Sequence, residues 1–245
     1  ADIKRMLLAQ KAYCEGALAL ELYCARLVDE THTGEGEALA EAKLLLEVLT
    51  PIAKSWPSEW CLEANSLAIQ IHGGYGYTRD FPVEQYWRDN RLNMIHEGTH
   101  GIQALDLLGR KVIIDGGKGL TLLATKMNDT IMRAMHVPAL ADHAQALARA
   151  LQRVGVATKA AWSTGNPTDA LANATPYLQA FGHTVLAWIW LDVVQALGAE
   201  ASHFNTGKHA AMRYFFHYEL PKIDAWLAVV SARDLTCANV PVEAF

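Results

Sequence analysis

Residues 72–103, HGGYGYTRDFPVEQYWRDNRLNMIHEGTHGIQ, hold the densest set of groups able to do chemistry. They contain a glycine-rich turn (Gly73, Gly74, Gly76), a polar strip and one isolated carboxylate, Glu97, between His96 and Gly98. A carboxylate on a short connection before an apolar helix can be aimed into a pocket. Beside Met94, Ile95 and Gly98 it can be partly buried, and burial raises its pKa. Such a group suits a base that removes a weakly acidic C–H proton. The alternative is a surface glutamate held at the start of the following helix by the helix dipole. The residues alone leave both open.

The same stretch spells HExxH over His96–Glu97–Gly98–Thr99–His100. That pattern binds zinc when two histidines one turn apart share a helix face. Here Gly98, a helix breaker, and Thr99, a residue suited to an N-cap, stand between them. The extended form would need glycine at 103 and histidine at 106, and the sequence has Gln103 and Asp106. We read no zinc site. The glycine turn allows a backbone to approach a phosphate or ring, yet it follows no strand and fits no P-loop. A tight helix-to-helix turn explains it as well. Arg79, Asp80, Arg88, Asp89 and Arg91 read as interhelical ion pairs, and His203, His209 and His217 lack a carboxylate pattern.

These groups need elements to position them, and the chain is written as helices. Alanine and leucine dominate, 51% of residues are hydrophobic and 19% charged. Residues 3–30 carry apolar positions at helical spacing. A second long helix is expected from Glu37 to about Ile71, kinked or broken near Pro51 and Pro57. Pro82 opens a short helix over Val83–Asp89. Met94–Gly98 is a connection, and Thr99–Lys111 a helix with Ile102, Leu105 and Leu108 on one side. Asp115–Gly119 reads as a linker. Helical segments follow at 119–135, 138–164, 168–202 and 207–234, the last interrupted by Pro221. The expected fold is all-α, with one bundle over 1–112 and a second over 113–245.

The net charge of −5, without a Lys/Arg run longer than two, argues against a nucleic-acid surface. No apolar run approaches the roughly 18 residues of a membrane span. Cys14, Cys24, Cys61 and Cys237 stand at no metal or framework spacing and read as reduced core residues of a cytoplasmic protein. The chain starts in an apolar helical stripe without a cap, as a C-terminal fragment would.

The run Gln70–Ile71–His72–Gly73–Gly74–Tyr75–Gly76–Tyr77, then Pro82–Val83–Glu84, Arg88–Asp89, Glu97–Gly98–Thr99 and Ile102–Gln103, resembles the C-terminal helical domain of acyl-CoA dehydrogenases over residues 1–112. Ala174–His183 and Ala211–Phe216 resemble the extra helical domain of the enlarged bacterial members. That group includes dehydrogenases of 3-methylmercaptopropionyl-CoA. The resemblance implies an FAD enzyme forming a trans-2-enoyl-CoA, with Glu97 taking the α-proton and the backbone N–H at 97 helping to hold the thioester carbonyl. Gly98 would let substrate pass close to the backbone, and Thr99 would lie near the adenosine of the cofactor. Gln70, Ile71, His72, Gly73 and Gly74 would meet FAD held by a neighbouring subunit of a homodimer or tetramer. Electrons would pass to an electron-transfer flavoprotein in a bacterial cytoplasm. Two positions depart from the family pattern: Gly101 replaces a cofactor-contacting glutamine, and Gly109 an arginine near the CoA adenine. The chain also lacks the domains that would complete the pocket, so these residues alone are expected to fold without catalysing. The rival reading is a non-catalytic helical interaction module.

Overall fold

The computed structural model describes all residues except Glu97, Ala199 and Glu200. Among the described residues there is no strand, and no helix is long and apolar enough to cross a membrane.

Two long helices form the first wall. Helix α1, Asp2–Thr33, buries Ala9, Ala12, Tyr13, Gly16, Leu20, Cys24 and Leu27, a stripe that recurs every three or four residues. Gly34 ends it in an extended conformation. Helix α2, Gly36–His72, packs along it and buries Leu45, Val48, Leu49, Ile52 and Trp56. The break expected at the prolines is absent: Pro51 and Pro57 both lie inside one helix. Neither has an N–H, so the carbonyls of Glu47 and Ala53 lose their helical donors. Burial of the neighbouring stripe outweighs that loss.

A 3-10 turn over Gly73–Tyr77 leads to α3, Val83–Arg91. Another turn, Leu92–Met94, precedes α4, His100–Asp106. Thr99 does occupy the N-cap position, but its side chain makes no cap bond. The helix expected to run regularly to Lys111 widens to π geometry over Leu107–Lys111. Its buried side is Gln103, Ala104, Leu107 and Leu108, while the anticipated inner residues Ile102 and Leu105 face outward.

The linker at 114–117 turns through Gly116 and Gly117, both left-handed, and the non-glycine Asp115 joins them at φ 50°. Then follow α5 (Lys118–Met135), α6 (Ala141–Ala161), α7 (Pro167–Leu171), α8 (Ala174–Gln195), α9 (His203–Tyr214), α10 (Ile223–Ala232) and α11 (Thr236–Asn239). Helix α6 starts later than anticipated, because 137–140 form a turn. The single helix expected over 168–202 is two. Asn173 interrupts it and donates its side-chain amide to the carbonyl of Asp234 at 2.8 Å. Ser202 caps α9 by accepting from Asn205 N–H at 3.0 Å, and a π turn over Phe215–Glu219 precedes Pro221.

Helix α8 is the centre. It touches α1, α2, α4, α5, α6, α9 and α10, and Tyr177, Phe181, Val185, Leu186 and Trp190 are enclosed. Buried residues from both halves therefore form one continuous core. Close approach is secured by small residues. A Cβ on Gly16 would stand 2.6 Å from Trp190 Nε1, and one on Gly182 would stand 2.6 Å from Trp56 Cδ1. All four cysteines are free, but only Cys24 is buried. Cys14 and Cys237 are exposed, one on the outer side of α1 and one in the C-terminal tail, so the core reading fails for them.

Candidate active site

The end of α2, α3 and the start of α4 frame the segment that carries the chemistry. Side-chain tethers hold it: Asn90 donates to Asn65 Oδ1 at 2.8 Å and so ties α3 to α2. Asn93 donates to Asn90 Oδ1, also at 2.8 Å. Arg88 pairs with Glu84 of its own helix at 2.7 Å. The interhelical pairing expected of Arg88 is thus replaced by an i,i+4 pair, which the helical spacing itself makes available.

Gly98 has φ 105°, and a Cβ there would meet Gln103 Nε2 at 2.7 Å. Glycine is required on both counts. Gly98 and His96 line a cavity of about 410 Å³ together with Glu21, Ser58, Cys61 and Asn93. Glu97, the expected base, lies outside the described residues. On the far side, Gln70, His72, Gly73 and Gly74 are exposed and Ile71 is half-buried. His72 packs against Phe81 with ring centroids 4.8 Å apart. Open space lies where Cβ atoms on Gly73 or Gly74 would stand. Thr99 is exposed at the head of α4.

The sequence from 1 to 112 matches the family described as acyl-CoA dehydrogenase, C-terminal domain, and 123–241 matches acetyl-CoA dehydrogenase C-terminal like. A 3-methylmercaptopropionyl-CoA dehydrogenase of Ruegeria pomeroyi is 39% identical over 82% of this chain and 34% of its own length. The chain belongs to the acyl-CoA dehydrogenase family.

Two solved structures share the fold. Caenorhabditis elegans ACDH-11 in complex with C11-CoA has a TM-score of 0.72 and 20% identity, over 93% of this chain and 38% of that one. A Bacillus anthracis acyl-CoA dehydrogenase complexed with FAD has a TM-score of 0.74 and 17% identity, over 98% and 42%. The chain thus spans about a third to two fifths of the length of these relatives.

Against that family background, Gly101 faces open space apart from Thr99 Oγ1 at 3.9 Å from an added Cβ. Gly109 fits under Leu171, and Arg110 turns to Asp106 at 2.7 Å. Sequence reasoning missed a polar group behind the segment. His100 Nδ1 is hydrogen-bonded to Ser55 Oγ, and its Nε2 lies 3.7 Å from Glu59 Oε2. Burial lowers the His100 pKa, Arg91 acts the same way and Glu59 opposes both. The two histidines of the HExxH string thus have different neighbours, His96 the cavity and His100 Ser55 and Glu59. A second buried cluster lies deeper. Burial alone would raise the Glu219 carboxyl, but His183, Lys222 and Tyr13 hold it down at about 2. Lys222 donates to Glu219 Oε2 at 2.5 Å and the Tyr214 hydroxyl to Oε1 at 3.1 Å. His183, fully enclosed, is kept below its ordinary pKa by burial and accepts from Trp56 Nε1 at 3.1 Å.

Proposed function

We propose that this chain is the C-terminal part of an FAD-dependent acyl-CoA dehydrogenase, with residues 1–112 bearing the base and 113–245 forming an added helical unit that buttresses it. The observation that carries this reading is the cavity at His96 and Gly98, the two neighbours of Glu97 in sequence. Glu97 removes the α-proton of an acyl-CoA thioester. The positive φ of Gly98, without a Cβ, keeps backbone close to substrate. Gln70–Gly74 fit one face of FAD, because exposed glycines with open space above them admit a flat ring. Thr99 stands exposed toward its adenosine part. FAD, when bound, supplies the acceptor for the β-hydride, and an electron-transfer flavoprotein is the partner that reoxidises it. The 245 residues alone lack most of that pocket and do not turn over.

The test is Glu97→Gln in the full-length protein. The variant should keep its bound flavin and lose acyl-CoA-dependent bleaching by ~10²–10⁴-fold, the usual contribution of a positioned base. Near-normal bleaching would move the base elsewhere. A colourless wild-type protein would favour a non-catalytic helical module instead.

A further inference from the structure

Among the described residues, no side chain caps the start of helix α4. It has seven residues, no side-chain cap at Thr99, and Gly98 with φ 105° before it. Short helices gain most of their stability from tertiary packing, so its register must be set from outside. A polar chain does reach its first residue. His100 is bonded to Ser55 Oγ and faces Glu59. Glu59 Oε2 in turn accepts from Gln179 Nε2 of α8. Gln179 Oε1 accepts from Trp60 Nε1 at 3.3 Å. Ser55 is 2% exposed, and His100 Nε2 is buried without a hydrogen bond, 3.7 Å from Glu59 Oε2. A neutral imidazole serves both sides: Nδ1 accepts from the Ser55 hydroxyl and Nε2–H is directed at Glu59.

We propose that His100 is a positioning residue, held by Ser55 and facing a Glu59–Gln179 pair, through which the second half of the chain sets the placement of His96 and Gly98 before α4. This rests on the dehydrogenase reading for its catalytic consequence, though not for its mechanical one. Gln179 touches neither substrate nor the reacting segment and acts through Glu59. A misplacement of about 1 Å costs an oriented reaction as much as ~10²-fold.

The experiment uses His100→Ala, Gln179→Leu and His100→Gln. In the full-length flavin-loaded protein, the first two should slow acyl-CoA-dependent bleaching at saturating substrate by ~10–100-fold. Flavin content and substrate affinity should stay within about twofold of wild type. Gln at 100 retains a donor toward Glu59, so it should restore part of the rate. In the 245-residue chain without cofactor, Gln179→Leu should raise hydrogen exchange across 93–103 about threefold or more and leave α1 unchanged. Wild-type bleaching rates, or exchange that rises equally throughout the chain, would overturn the proposal. If the wild-type protein is bleached by no acyl-CoA, the dehydrogenase reading fails, while the exchange measurement still decides the clamp.

Discussion

Helix α8 and the segment from Gly73 to Asp106 are built on opposite plans. Sixteen of the 22 residues of α8 are buried, whereas α3 buries none of its nine. The first is buried over most of its surface, as an element touching seven others must be. The second keeps Tyr75, Tyr77, Tyr86, Leu92, Ile95 and Ile102 outside, and side-chain bonds such as Asn90 to Asn65 fasten it to α2. The lesson is a division of labour. Stability is concentrated in the second half and at its junction with α1 and α2. The chemistry is assigned to a thin, tethered segment that can be reshaped without loss of the core.

Truncating the interior is the strongest challenge to that contrast. Phe181 is fully enclosed, and Phe181→Ala should cost ~3–5 kcal/mol through lost transfer energy and a residual cavity. Tyr77 is 86% exposed, and Tyr77→Ala should stay within about 0.5 kcal/mol of wild type. Urea unfolding of both variants measures the difference. Similar costs at the two sites would abolish the distinction.

A smaller effect is expected from adding one methyl group. Gly182→Ala puts a carbon 2.6 Å from Trp56 Cδ1, and overpacking of this kind typically costs ~1–3 kcal/mol. Gly74→Ala meets open space and has no positive φ to strain. It should be neutral within about 0.5 kcal/mol. A stabilised Gly182→Ala protein would mean that α2 and α8 are not in that contact.

Acid offers a third probe, again confined to the interior. Glu219 is ionised down to about 2 in the folded chain, while an unfolded glutamate titrates near ~4.3. Its folded pKa is depressed, so its contribution to stability is fully present above about pH 5 and is lost as pH falls toward 2. Glu219→Gln removes the titrating group. The melting-temperature gap between wild type and variant should therefore be widest near pH 6–7 and close between about pH 4.5 and 2. A gap that widens in acid would reverse the assignment of charge in the His183–Glu219–Lys222 cluster.

These contrasts also mark what could be read in advance. The long helices were legible because apolar residues recur at helical spacing over 3–30, although the side they bury was not: Ile3, Leu7, Leu18 and Leu22 face outward. Gly34, Gly73 and the turn at 114–117 were legible as punctuation. At the prolines local geometry argues for a kink or break, while the continuity of α2 depends on packing against α1, α5 and α8. For the same reason the Glu59–Gln179 bond, which spans 120 positions, left no signature in either local sequence. His100 was visible only as the second histidine of the HExxH string. Ile102, Leu105 and Leu108 were read on one side of their helix, yet only Leu108 is buried, because periodicity identifies an apolar face without saying what covers it. Glu97 stood out by type and flanks, but its role came from the resemblance and from no spacing rule.

The least costly change in stability tests the outer face itself. Tyr77, Ile95 and Ile102 are 86%, 53% and 58% exposed, and each removes little apolar area from water in the isolated chain. Replacing all three with serine should change folding stability by about 1.5 kcal/mol or less, since exposed substitutions away from special features stay within about 0.5 kcal/mol each. Exposed apolar residues clustered in one segment favour association. The 245-residue chain is therefore expected to form dimers or larger assemblies, and the triple variant to shift toward the monomer in light scattering at equal concentration. A wild-type chain that is strictly monomeric would show that this face is satisfied in water. A triple variant that associates as before would locate the contact elsewhere, with Ile3, Leu7, Leu18 and Leu22 on the outer side of α1 as the next face to change.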